Sequence, residues 1–304
     1  MLCHEMARSW KREDDCPMKD GNNLGGKNKY IWKIAVAVLL VVAMVCVGVA
    51  CARKAKEDAA QDTFEQLAER TSKVPLETQE PSSEGVQPTE EPLAESEESA
   101  DILGELGVPV PEKEVDFEDL QQNVNKDIYA WIYIPDTKID YPILQHPTDN
   151  VYYLNHNLDG SSGYPGCIYS EDYNKKDFSD PVTVLYGHNM KNGNMFAGLH
   201  KYSDSEYLAE HPYIYIYTPD GMLVYQIFAV HQHSNEHLLY GKDYTRETIM
   251  ESYIGAIERE RSMVSVEDEA IEVDVDSHIL TLSTCISNKP NNRLLMQGVL
   301  LNGE

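Results

Sequence analysis

The segment HILTLSTCISN, from His278 to Asn288, alternates like a β-strand and places a cysteine where the alternation stops. In an extended chain Ile279, Thr281, Ser283 and Cys285 point one way, and Leu280, Leu282 and Thr284 point the other. The leucines make the better core face. That leaves Cys285 on a face with Thr281 and Ser283, suited to line a groove. A thiol in such a place becomes a nucleophile when a neighbouring base or positive charge favours the thiolate. The plainer reading is a packed, inert side chain, because free cysteine is among the residues most often buried.

Two other residues could complete a nucleophilic site. VTVLYGHNM ends a strand in Gly187-His188, where the glycine allows close backbone approach and the histidine sits at the strand end. On strand context alone, a half-exposed edge histidine is the commoner case. Downstream of Cys285, ISNKPNNR forms a polar turn and Arg293 opens the last strand. Antiparallel pairing of the final two strands would bring Cys285 and Arg293 to one rim. A guanidinium there can donate hydrogen bonds to a carbonyl oxygen that gains negative charge in acyl transfer. An arginine that merely solvates the turn is the ordinary alternative. His231, His233 and His237 in HQHSNEH suggest a metal, but no cysteine or carboxylate completes a ligand set, so no metal site is expected.

The elements that must position these residues are mainly β. Runs at 128–135, 139–145, 166–171, 182–188, 213–218, 222–233, 278–285 and 293–301 read as strands separated by turn residues. Eight short strands at this spacing predict a closed or nearly closed barrel. Helices are expected at FEDLQQNVN, at MFAGLHKY and over 245–263, where Ile249, Tyr253, Ile254 and Ile257 recur at helical spacing between the sixth and seventh strands.

Upstream the chain changes character. Residues 34–52 form an uncharged apolar run, long enough to cross a bilayer core. Basic residues are denser before it than after it, which predicts a cytoplasmic N-terminal tail (1–33), a membrane anchor (34–52) and an exterior remainder. A cleaved signal peptide would carry a shorter apolar core of about 7–15 residues. Residues 53–115 start with a run that could form a short helix, KAKEDAAQDTFEQLAERTSK. They continue as a Glu-, Pro-, Ser- and Thr-rich stretch too polar to offset its ordering entropy, so the segment reads as an acidic tether. The β-rich domain occupies 116–304. The net charge of −26 excludes the basic footprint of a nucleic-acid binder.

Taken together, Tyr186-Gly187-His188, Thr281-Leu282-Ser283-Thr284-Cys285 and Arg293 resemble the sortases, the cysteine transpeptidases of Gram-positive cell surfaces. The helix before the barrel, the long helix between the sixth and seventh strands, and the segments 141–160, GCIYSED and YGHNMKNGNMF are similar to class B in particular. The likeness spans roughly residues 116–302 and implies an eight-stranded sortase barrel. It further implies that Cys285 attacks a threonine carbonyl in the C-terminal sorting signal of a secreted protein. His188 would protonate the leaving amine, and Arg293 would stabilise the oxyanion. The thioester would then pass to an amine of a peptidoglycan precursor. By position, Asn150, Leu154, Ser283 and Thr284 match substrate-binding places, with Leu238 to Tyr240 a looser match. No cofactor is implied.

Two departures stand out. Ile286 follows the cysteine where class B members often carry a polar residue, and Cys167 replaces a small residue in GCIYSED. Cys167 could be inert or could pair with Cys285. A pilin polymerase using a lysine amine, a cysteine protease and an idle extracellular binding module are the competing readings.

Overall fold

The computed structural model describes residues 25–71, 102–260, 266–268 and 270–303. Its strands are β1 (Ile128–Tyr133), β2 (Asp140–Leu144), β3 (Ile168–Tyr169), β4 (Val182–Tyr186), β5 (Tyr213–Thr218), β6 (Gly221–Ser234), β7 (Val266–Glu267), β8 (Ile279–Ile286) and β9 (Lys289–Leu300). Eight of them run β5-β1-β2-β3-β4-β8-β9-β6, and β6 pairs back onto β5 to close a barrel. These are the eight strands expected. The two-residue β7 adds to β6 and is too short to leave a periodic signal.

The barrel closes because alternate residues of each strand are apolar. Ile132, Ile143, Ile168, Leu185, Ile214, Leu280, Leu282 and Met296 fill its interior. On the outside, the strands β4, β8, β9 and β6 are apolar over only part of their length, and one helix covers that part. The helices are α1 (Gly25–Thr71), α2 (Phe117–Asn123), α3 (Ser205–Glu210) and α4 (Glu247–Glu258). Met250, Ile254 and Ile257 of α4 pack on Val182, Val184, Ile279, Leu295 and Val299 as a second cluster.

The segment read as a helix at MFAGLHKY is a 3-10 helix, Phe196–Ser203. Its buried residues, Phe196, Leu199 and Tyr202, recur every three positions, the period of the tighter helix. Ahead of β1, Asp116 caps α2 by accepting the backbone N–H of Asp119 at 2.9 Å.

Helix α1 runs without a break through the apolar segment and on to Thr71. It is long and apolar enough, by length and composition, to cross a membrane. The chain divides into two compact units between Ala55 and Lys56. Within the second, Phe64 and Leu67 are buried and the Phe64 ring meets Tyr141 edge-on at 5.4 Å. Arg70 pairs with Asp119, and Lys113 with Asp140 at 2.8 Å. The barrel unit therefore takes in residues 56–71 and 102–115, which the sequence assigned to the tether. The tail up to residue 24 and the tether from 72 to 101 lie outside the described residues.

Candidate active site

Strands β4 and β8 lie parallel, with Val182 opposite Ile279 and Tyr186 opposite Ser283. Their C-terminal ends are therefore adjacent, and the chain leaves β4 through Gly187-His188 just as β8 reaches Cys285. The Gly187 N–H donates to the Ser283 carbonyl at 3.2 Å, and the Thr284 hydroxyl donates to the Gly187 carbonyl at 2.8 Å. A Cβ at Gly187 would sit 2.5 Å from the Ile168 side chain and 2.7 Å from Phe196, so only glycine allows this approach.

Cys285 is exposed, and Ser283 beside it is nearly buried. The face they share is sealed by α4 at its other end, where Tyr253 Oη meets Thr281 Oγ1 at 2.8 Å and Ile279 joins the outer cluster. The cover stops short of Ser283, and the thiol emerges there. Cys285 and Cys167 are both free. Cys167 is buried, its thiol donates to the His156 carbonyl at 3.4 Å, and burial pushes its pKa up.

His188 donates from Nε2 to the Leu154 carbonyl at 2.7 Å, and the Tyr164 ring lies 4.9 Å from its own. Burial holds the imidazole below the ordinary histidine value, against the pull of that carbonyl. The Leu154 carbonyl is itself fixed by Gly166, which has φ +68° and on which a Cβ would stand 2.8 Å from that oxygen and 2.7 Å from that of Tyr153. Gly166→Ala is accordingly expected to lower stability by about 2 kcal/mol or more, from αL strain plus the backbone clash. It should also lower turnover by displacing the His188 acceptor. Thermal melting and a steady-state assay on the same sample check both effects.

Residue Asn189 ties the histidine segment to the nucleophile. Its Nδ2 donates to the Cys285 carbonyl at 2.9 Å, and His200 Nε2 lies 3.1 Å from the same oxygen. On the other side, β8 and β9 are antiparallel with Cys285 opposite Arg293, as expected, and Arg293 opposite His233 of β6. Three neighbouring strands thus present Cys285, Arg293 and His233 in one row. The Arg293 guanidinium donates from Nη1 to the Pro290 and Asn292 carbonyls, each at 3.0 Å. Both bonds use one nitrogen, so the rest of the fork can serve another oxygen.

These residues line one cleft of about 300 Å³, whose walls include Leu154, His188, Ser283, Thr284, Cys285 and Arg293. Asn150 is placed differently. It donates to Asp172 Oδ1 at 2.5 Å and accepts the Asp172 N–H at 2.9 Å, and it is absent from the cleft wall. The Thr284 hydroxyl is spent on the Gly187 backbone. Leu154 contributes its carbonyl to His188.

Sequence patterns missed one feature of the wall. Glu171, buried after β3, accepts from His237 Nε2 at 2.8 Å and from the Tyr186 hydroxyl at 3.1 Å. Burial raises the Glu171 carboxyl above its ordinary value, and His237 and Tyr186 oppose that rise. His237 Nδ1 accepts the N–H groups of Leu239 and Tyr240, so the ring anchors the loop after β6. Glu171 and His237 lie on segments that no local pattern links. His231, also weighed as a ligand, instead meets Gln297 Nε2 at 3.0 Å.

Comparison with known proteins identifies the family. A family model described as a sortase domain matches residues 132–301. Sortase B of Listeria monocytogenes serovar 1/2a is 38% identical over 184 residues, covering 59% of this chain and 72% of that protein. Sortase B of Staphylococcus aureus is 28% identical over 169 residues, covering 56% of this chain and 67% of that protein. Among solved structures, Listeria monocytogenes sortase B aligns at 36% identity with a TM-score of 0.52, over 61% of this chain and all of that one. Sortase B of B. anthracis in complex with AAEK1 aligns at 30% identity with a TM-score of 0.54, over 62% and 84% of the two chains.

Proposed function

The chain belongs to the sortase family, in class B, and is a cysteine transpeptidase; from that premise we propose that it cuts a C-terminal sorting signal after threonine and joins the released protein to a peptidoglycan amine. The observation that carries this reading is the meeting of His188, an exposed Cys285 and Arg293 on one cleft wall.

In the first step the Cys285 thiolate attacks the threonine carbonyl carbon. The Arg293 fork donates to the oxygen that becomes negative. As the peptide C–N bond breaks, His188 gives a proton to the leaving amine. With Nε2–H held by Leu154, the exchanging nitrogen is Nδ1. In the second step an amine lone pair attacks the thioester carbon. The C–S bond breaks, Cys285 leaves as thiolate, and the proton returns to His188. A thioester separates cutting from joining, so an amine held in place can outcompete water.

The apolar part of α1 serves as a single-pass anchor, with the basic N-terminal tail in the cytoplasm and the barrel outside the cell. Secreted proteins carrying sorting signals are its partners on that side. An idle binding module would not need an exposed thiol in a row with an arginine.

The test is a set of sorting-signal peptides incubated with the full chain in detergent, with products identified by mass spectrometry. Cleavage after threonine supports the reading, and cleavage elsewhere or none at all refutes it. Arg293→Lys keeps the charge but loses the planar fork. It is expected to lower kcat by roughly 10²-fold with a smaller change in KM, as for loss of an oxyanion donor. Steady-state kinetics on one peptide decide it.

A further inference from the structure

A second cavity of about 330 Å³ lies against the outer wall of the barrel, between β6, β9, the loop after β6 and α4. His233, Glu236, His237, Leu238 and Leu295 line both this cavity and the catalytic cleft, so the two adjoin along a common wall. The sorting signal and its thioester need the cleft that contains Cys285. The cavity beneath α4 has no role in the reaction described so far.

Its chemistry is distinctive. Ile249, Tyr253, Ala256 and Ile257 of α4 form an apolar wall facing Leu295. At the end nearest the cleft the charged groups are mostly acidic. Glu236 and Glu260 line the cavity together with Lys242, and both carboxylates act on His233. Burial keeps His231 and His233 below the ordinary histidine value, so neither imidazole adds positive charge at neutral pH. Apolar walls with carboxylates beside His233 suit a primary ammonium on an aliphatic stem.

The strand register supplies the distance. Cys285, Arg293 and His233 are direct neighbours on β8, β9 and β6. The cavity mouth at His233 is therefore about two strand spacings, roughly 10 Å, from the nucleophile. An extended side-chain amine can span that.

We propose that this cavity is the acceptor subsite: it holds the aliphatic stem of a primary amine against α4 and directs its nitrogen past His233 to the Cys285 thioester. The inference rests on the transfer reaction proposed above and specifies its second substrate. The bonds made and broken are those of the second step. The amine C–N bond forms, the C–S bond breaks, and the amine proton goes to His188. A bare glycine amine, lacking a stem, gains nothing from the apolar wall.

The test uses the full chain in detergent with a saturating sorting-signal peptide and two acceptors, Nα-acetyl-lysine amide and triglycine. Acid and amide products are counted by mass spectrometry. The lysine amine should show a KM lower than that of triglycine by about tenfold or more. Ala256 and Ser252 are exposed on α4, so larger side chains can enter the cavity from there without disturbing the core. Ala256→Leu, and separately Ser252→Leu, should raise the KM of the lysine amine about tenfold and change the rate of thioester formation less than twofold. An unchanged KM in both variants overturns the proposal, as does triglycine being the better acceptor. A parallel loss of cleavage and joining also overturns it, by assigning the cavity to the sorting signal. A wild-type chain that makes only acid with either amine would instead refute the transfer reading itself, and the acceptor subsite with it.

Discussion

Cys285→Ala is expected to release neither acid nor amide from a sorting-signal peptide, a fall in kcat of at least about 10⁴-fold. The size follows from the mechanism, because without the thiol no covalent intermediate forms and the remaining groups can only hold substrate. The fold should survive. Cys285 is exposed at the end of β8, so its truncation leaves no cavity, and stability should stay within about 0.5 kcal/mol. Cys167 supplies the contrast, being buried and bonded to the His156 carbonyl. Cys167→Ala should lose about 1–2 kcal/mol of stability and keep its turnover. Activity and melting curves for both variants separate the two roles. The account fails if Cys285→Ala retains cleavage.

His188→Gln is expected to lower kcat by about 10²–10⁴-fold, the range for loss of a positioned acid and base. Glutamine can still donate to the Leu154 carbonyl, so the local backbone should hold, but it delivers no proton to a leaving amine. The pH dependence gives an independent check. Burial disfavours the imidazolium, so His188 binds its proton only below the ordinary histidine value of 6.5. His188 must carry its proton to serve the leaving amine, so one limb of kcat/KM in the wild type should lie below pH 6.5, where His188 titrates. In His188→Gln that limb should disappear from the residual activity. A wild-type profile with no limb below 6.5, or a limb there that persists in the variant, would assign the proton transfer to another group.

Much of this site could be read from the sequence because its parts are local. The alternation of Ile279 to Thr284 fixed which face Cys285 shares, and the leucines are indeed in the barrel interior. The polar turn before Arg293 implied a hairpin, and the register pairs Arg293 with Cys285. What escaped was non-local. Gln61, Phe64, Leu67 and Thr71 are buried along one side of α1, yet only two of the four are apolar. Such a sparse stripe in a charged run carries too weak a periodic signal to suggest packing. Asn189 reaches the Cys285 carbonyl, and His237 reaches Glu171, across segments remote in sequence. Asn150 shows the reverse limit. Its match by position gave no sense of direction, and its amide is engaged with Asp172.

The most direct test of the account is the intact mass of the full chain during reaction with a threonine-containing sorting-signal peptide. The chain should gain the mass of the peptide up to the threonine, on Cys285 alone. Adding Nα-acetyl-lysine amide should discharge that adduct into a peptide joined to the amine, and Cys285→Ala should never acquire it. Cleavage with no adduct on Cys285, or an adduct that yields only acid in the presence of the amine, would contradict a thioester-forming transpeptidase.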